Sequence, residues 1–281
     1  MTKPIIIGLG EIVWDCLPEG KKLGGAPVNF AFHAQQLGAE SYPVSAVGDD
    51  ELGRETLEAC RSYGLCLDFM QKNSLPTSRV LVNLDADGVP QYEILQNVAW
   101  DAIQATPEVL ALAARADAIC WGSLAQRSAA SREAILRILD AVPSGAMKVF
   151  DVNLRQHYYS PEVINASLQR ATVLKLNEDE LPVLEGLTGL KGIPAIIENY
   201  NLDYLVYTCG AAFSEVYGPS GLLSHLDTPK VKVADTVGAG DSFTAAFTTS
   251  ILKGESVAAA HAQAVRISAL VCGAQGAIVK Y

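Results

Sequence analysis

Residues 233–247 read VADTVGAGDSFTAAF. Gly238, Ala239 and Gly240 stand directly before a carboxylate, Asp241, and a run of small and apolar residues follows. Such a run makes a buried helix, which places the acid in its first turn. Glycines let the backbone approach a ligand closely. At a helix start, successive N–H groups converge on one spot, and the helix dipole adds positive character. The stretch can therefore hold an anion without using a lysine. Taken alone, the four residues are better explained by tight helix packing with Asp241 as a cap. A second stretch, NEDE at 177–180, shifts the balance. Carboxylates suit Mg²⁺, the ion that accompanies nucleotide phosphates. An anion hole, an acid and such carboxylates together describe phosphoryl transfer.

These residues need a frame that brings them together. Compact apolar runs alternate with amphipathic ones along most of the chain. IIIGLG, SYPVSAVG, ADAICWG, MKVFDVN, TVLKLN and DYLVYTCG read as strands. PVNFAFHAQQLG, ELGRETLEACRSYG, SREAILRILDAV, PEVINASLQRA and EDELPVLEGL read as helices. In the first helix Pro27 suits the opening turn and Gly38 the stop. This order predicts an α/β fold with a mostly parallel sheet covered on both faces. Ligands then gather at the carboxyl ends of the strands. Those ends carry Glu11 and Asp15 after the first strand, Asp151, Asn153 and Arg155 after MKVF, and Asn177 and Glu180 after TVLKL. The strand YLVY ends in TCG. Together they predict one large polar cleft. The region TSRVLVNLDADGVPQYEI departs from the alternation. Its Asp-Gly between β-rich runs predicts a hairpin, either a lid over the site or an edge decoration.

Composition narrows the partners. The chain has 281 residues, 49% hydrophobic and 19% charged, with a formal net charge of −10. That acidity argues against nucleic acid and anionic membranes. No stretch reads as a signal peptide or a membrane span, which predicts a cytoplasmic protein. Six cysteines lack any C-x-x-C pair and read as buried free thiols rather than a zinc site or disulfides. GLGE is not a dinucleotide fingerprint, because Val13 stands where the third glycine belongs, and no P-loop motif occurs.

At this point the sequence resembles the PfkB, or ribokinase-like, sugar kinases. GGAPVNFAFHAQQLGAESYPVSAVG (24–48) looks like the family's amino-terminal signature, and DTVGAGDSFTAAFT (235–248) matches its carboxyl-terminal one. Asn177 and Glu180 fit its N-x-x-E motif, and TCGAAFSEVY resembles its nucleotide-side loop. The resemblance implies a single domain over 1–281, a three-layer sandwich with a small β lid from about 11–27 and 75–97, and ATP with Mg²⁺ as co-substrate. It implies Asp241 as the base, with the N–H groups of Gly238, Ala239 and Gly240 holding phosphoryl charge. Asp15, Gly25, Ala26 and Asn29 would grip sugar hydroxyls. Asn177 and Glu180 would organise Mg²⁺ through water. Thr208, Gly210 and the 230–235 stretch would border the nucleotide. Asp235 and Val237, with 268–276, would form a loop for a monovalent cation such as K⁺. Lids of this kind often pair across a homodimer. GEIVWD, GGAPVNFA and DVNLR look like the fructokinase branch, which places Arg155 near the substrate or the transferred phosphoryl group. The lysine of sugar-phosphate kinases is absent at Gly25–Ala26, so the expected substrate is an unphosphorylated sugar, D-fructose first. Ribose or 2-keto-3-deoxygluconate is the alternative, and a non-catalytic sugar or nucleotide sensor a more distant one.

Overall fold

Strand β1 (Ile5–Leu9) shows why the apolar runs are continuous. Ile6 packs with Phe30 and Ala245 on one face of the sheet, while Ile7 and Leu9 pack with Ile135 and Leu168 on the other. A strand buried on both faces has no polar side to alternate with. The structure is a computed structural model that describes residues 2–17, 20–84 and 90–281. Its main sheet has nine strands among the described residues. Around β1 lie β4 (Glu40–Gly48) and β5 (Met70–Asn73) on one side. On the other side follow β8 (Ala118–Trp121), β9 (Met147–Asp151), β10 (Val173–Asn177) and β11 (Tyr204–Cys209). These seven are parallel, and the antiparallel hairpin β12 (Phe213–Gly218) and β13 (Gly221–Asp227) completes the edge. Chain order therefore reverses direction at β1, the kind of switch point where α/β sheets open a crevice.

Helices cover both faces. On one lie α1 (Ala26–Gln36), α2 (Glu51–Ser62), α8 (Ala239–Leu252) and α9 (Val257–Cys272). On the other lie α3 (Pro107–Ala113), α4 (Ala129–Ala141), α5 (Pro161–Leu168), α6 (Glu180–Thr188) and α7 (Ile193–Tyr200). Helix starts are chemically marked. The side chains of Asp50, Thr106, Ser160 and Ser256 cap α2, α3, α5 and α9 by accepting first-turn N–H groups. The predicted buried helix after Asp241 is α8, in which Ser242 to Ser250 are all buried. No described helix is long and apolar enough to cross a membrane.

A smaller, separate sheet joins β2 (Val13–Leu17), β3 (Gly20–Gly24), β6 (Arg79–Leu84) and β7 (Pro90–Ile94) in the order β3-β2-β6-β7. Trp14 and Leu23 from its inner side pack on Val28 and Phe32 of α1 and Cys60 of α2, and Trp14 Nε1 donates to Thr56 Oγ1 at 2.8 Å. One root is held by Asp50, which accepts from Thr77 N–H and Oγ1. At the other, the buried Arg127–Asp101 pair reaches Leu95, whose carbonyl accepts from Arg127 Nη2. The sheet falls inside the windows expected for a lid, except that residues 26 and 27 already belong to α1. β6 and β7 pair antiparallel as predicted, while the Asp-Gly turn at 85–88 lies outside the described residues.

Candidate active site

The start of α8 is set by a glycine whose place no side chain fits without strain. Gly238 has φ 79°, and a Cβ there would lie 2.7 Å from Ala277 Cα and closer still to Ala277 Cβ. The first turn of a helix leaves N–H groups without intrahelical acceptors. Ala239 N–H reaches Thr236 O at 3.3 Å, so the expected donor at Ala239 is already engaged. The N–H groups of Gly240 and Asp241 continue the turn.

Asp241 is placed by α1. Asn29, one turn into that helix and 3% exposed, donates from Nδ2 to Asp241 Oδ2 at 2.8 Å. Asp241 keeps part of its surface open. Burial nevertheless pushes its carboxyl up to about 6; Asn29, Lys175 and Arg155 act downward and Asp151 upward. Asp151, the last residue of β9, is buried; it accepts from Lys175 Nζ at 3.0 Å and from Thr244 Oγ1 at 3.3 Å. Lys175, in the middle of β10, is also buried. Its burial pushes the ammonium down, but Asp151, Glu180 and Asp241 outweigh that and hold it above the ordinary lysine value. A Cβ on Gly240 would lie 3.1 Å from Lys175 Nζ, so a buried cation sits directly under the glycine turn.

Two recesses meet at this point. A cleft of about 610 Å³ runs along β10, β11 and the 228–236 segment, and Lys175, Asn177, Thr208, Gly210, Thr228 and Gly240 line it. A narrower recess on the other side is lined by Ala26, Pro27, Phe30, Trp121, Asp151 and Asp241. Gly240 and Asp241 divide them. Of the residues expected at the nucleotide, Asn177, Thr208, Gly210 and Gly240 line the larger cleft; of those expected at the sugar, Ala26 lines the narrow recess. Val231 and Val233 give the larger cleft an apolar wall. TCGAAFSEVY proves to be a tight turn at 209–212 followed by strand β12.

The remaining residues expected at the sugar lie outside the lining of the narrower recess. Gly25 precedes α1 with φ 118°, and a Cβ there would meet Glu11 O at 2.5 Å. Asp15 is not at the end of a main-sheet strand but inside β2 of the small sheet. Burial raises its carboxyl pKa, while Arg155 and Lys22 lower it. Arg155 is exposed and donates to Leu154 O at 3.0 Å. Its charge reaches Glu11, Asp15 and Asp241. Glu11 stands among them, 3% exposed, with Oε2 lacking a hydrogen-bond partner and its carboxyl pushed by burial up to about 7. Glu11, Asp151 and Lys175 belong to this constellation as much as the expected set does. The first two are visible as polar strand ends, whereas Lys175 hides inside an apolar strand.

Asn177 and Glu180 bond each other reciprocally, in the manner of a capping box, across the turn that leads into α6. Asn177 Oδ1 accepts from Glu180 N–H at 2.9 Å, and Glu180 Oε2 accepts from Asn177 N–H at 2.9 Å. Glu180 Oε1 accepts from Leu154 N–H at 3.0 Å, which fixes the segment carrying Arg155. Among the described residues no cluster of three acidic, histidine or cysteine side chains could hold a metal unaided. Asp235 and Val237 lie behind the hole, where Asp235 Oδ1 accepts from Val237 N–H at 3.1 Å. All six cysteines are free; Cys60 and Cys120 are buried, and the other four keep partial exposure, contrary to a uniformly buried set.

The model of the pfkB family carbohydrate kinases matches residues 12–280. A fructokinase of Klebsiella pneumoniae is 30% identical over 250 residues, covering 84% of this chain and 81% of that protein. An aminoimidazole riboside kinase of Salmonella typhimurium is 29% identical over 258 residues, covering 86% and 79%. In three dimensions the chain is similar to a fructokinase from Xylella fastidiosa with bound ATP. The TM-score is 0.85 at 22% identity, over 99% of this chain and 94% of that one, a likeness of ribokinase-like fold. Since the family match runs through the small sheet, the main sheet and the α8 start alike, this chain belongs to the pfkB family of carbohydrate kinases.

Proposed function

We propose that this carbohydrate kinase transfers the γ-phosphoryl group of ATP to the 6-hydroxyl of D-fructose. The observation that carries the reading is the position of Asp241 between the two recesses, held by Asn29 and backed by Lys175. The large cleft takes the nucleotide against Thr208 and Gly210. The sugar binds on the α1 side of Asp241, against Gly25, Ala26 and Asn29, with Asp15 and Arg155 nearby; the recess there, about 10 Å³, widens to admit it. The attacking hydroxyl then points at Asp241 and the γ-phosphorus lies in line beyond it. As the new O–P bond forms and the bond to ADP breaks, Asp241 takes the hydroxyl proton. The N–H groups of the α8 start and the Lys175 ammonium face the charge on the transferred group.

Mg²⁺ supplies charge neutralisation on the phosphates and arrives with them. Asn177 and Glu180 fit a role through water, because backbone N–H groups already occupy both Glu180 oxygens. The small sheet is the lid in this reading. Folding down over the sugar, it excludes water and limits ATP hydrolysis. Fructose is preferred because GEIVWD, GGAPVNFA and DVNLR follow the fructokinase branch and several relatives carry that name.

The test is a coupled ADP-release assay over fructose, ribose, 2-keto-3-deoxygluconate and aminoimidazole riboside. Fructose should give the highest kcat/KM, and a larger value for any other compound overturns the choice. A pH profile checks the base. Asp241 must be ionised to accept the proton, and its carboxyl is raised to about 6. The kcat/KM for sugar should therefore fall about tenfold per pH unit below about 6 and level off above about 7. Glu11 ionises in the same window, so the profile is repeated in Glu11→Gln. A flat profile from pH 5 to 8 in both proteins would remove Asp241 as the base.

A further inference from the structure

Two segments run side by side behind the start of α8: 234–237, which lead into it, and 272–277, which follow α9. Several of their carbonyls are bonded within the protein. Cys272 O accepts from both Ala234 N–H at 2.8 Å and Asp235 N–H at 3.3 Å. Ala234 O accepts from Gln275 Nε2 at 3.2 Å, and Ala277 O from His33 Nε2 at 2.9 Å. Asp235 Oδ2 accepts from Gly276 N–H at 3.0 Å. Its other close neighbour is a cation carried by the chain itself. Lys22 Nζ, on β3 of the small sheet, lies 3.3 Å from Asp235 Oδ2 and 3.3 Å from Gln275 Oε1. Burial pushes the Asp235 carboxyl up, but the N–H groups of Val237 and Gly276 together with Lys22 hold it below the usual carboxylate range.

The family resemblance implies a monovalent cation on this loop, yet with Lys22 in place the residues present do not fit one. A bare K⁺ is held where a ring of oxygens replaces its hydration shell. Here the ammonium of Lys22 already sits on Asp235 Oδ2 and Gln275 Oε1 and would repel a second cation, whereas the carbonyls of Ala234 and Ala277 keep a lone pair each for a cation admitted in its absence. We propose that Lys22 takes the place of the monovalent cation. Its charge pins Asp235 against 275–276, and Ala277, next along that segment, is the residue packed on Gly238. Lys22 is thus a positioning residue that acts on the phosphoryl seat through the loop.

The inference concerns the loop, and only its activity readout rests on the proposed kinase reaction. Wild type, Lys22→Met and Lys22→Arg are compared at constant ionic strength in potassium, sodium or tetramethylammonium chloride. Two quantities are read: the melting temperature without substrates, and kcat. The wild type and Lys22→Arg should show the same values in all three salts. Lys22→Met should lose about tenfold in kcat in tetramethylammonium and regain most of it in potassium, a coupling of ordinary size. Its melting temperature should rise by about 2–4 °C in potassium over tetramethylammonium. A potassium requirement in the wild type overturns the proposal, as does a Lys22→Met protein indifferent to the salt, whether active or inactive. Should no protein phosphorylate any sugar, the melting temperatures alone decide.

Discussion

Asp241→Asn should lower kcat by at least about a hundredfold, with a modest change in KM, since general-base help is worth roughly 10²–10⁴-fold. The amide keeps the shape of the side chain and its place beside Asn29, but it cannot accept the hydroxyl proton. The same substitution should strengthen the fold at alkaline pH. Burial raises the Asp241 carboxyl from 3.8 to about 6, so the folded chain binds its proton more tightly than the unfolded chain does. The resulting penalty is absent below the unfolded value and complete above about 6. Removing the charge should therefore stabilise the protein at pH 8 by roughly 1–3 kcal/mol, and the gain should vanish towards pH 4. Urea unfolding at the two pH values, beside steady-state kinetics, measures both effects. A variant with kcat within a few-fold of wild type would deny Asp241 its role, whatever its stability.

The second large effect is expected at Gly238. An alanine there meets Ala277 at less than van der Waals distance and is held at φ 79°. Left-handed backbone and overpacking together should cost about 2–4 kcal/mol of stability. If the α8 start seats the transferred phosphoryl group, kcat should also fall by about 10²–10³, the size seen when one donor of an oxyanion hole is lost. Gly254→Ala supplies the comparison. Gly254 has φ 81°, with nothing within 4 Å of a Cβ, so it isolates the conformational part. Equal losses in both variants would show that the Ala277 contact does not position the hole.

The frame of the protein is legible in the chain because its strands are buried on both faces. IIIGL, AICW and VLKLN announce themselves as short apolar runs between helices. The α8 start is legible for a different reason: Gly238, Gly240 and Asp241 are consecutive or nearly so, and their geometry is local. What stays hidden depends on distant partners. Lys175 looks like a polar interruption of an apolar strand until Asp151, 24 residues earlier, and Gly240 are placed beside it. Asp15 reads as a residue after β1, but it lies within β2, whose register is set by pairing with β6 more than sixty residues later. The side chain of Lys22 meets Asp235 across 213 positions. The N-x-x-E pair is intermediate. Its capping geometry follows from spacing alone, but the hold of Glu180 on Leu154 does not.

The contact between Asn29 and Asp241 spans 212 residues, and His33, one turn further along α1, donates from Nε2 to Ala277 O. A chain emerging from the ribosome therefore makes one half of these contacts almost at once and must wait for the other. Throughout that interval the side of α1 that bears Phe30 and Ala34 lacks Ala245, its packing partner from α8. The nascent chain presents an uncovered apolar face until α8 is made, the condition in which unfinished domains recruit chaperones. Breaks in the message upstream of codon 239 would then yield a sticky, inactive product rather than a weakened enzyme.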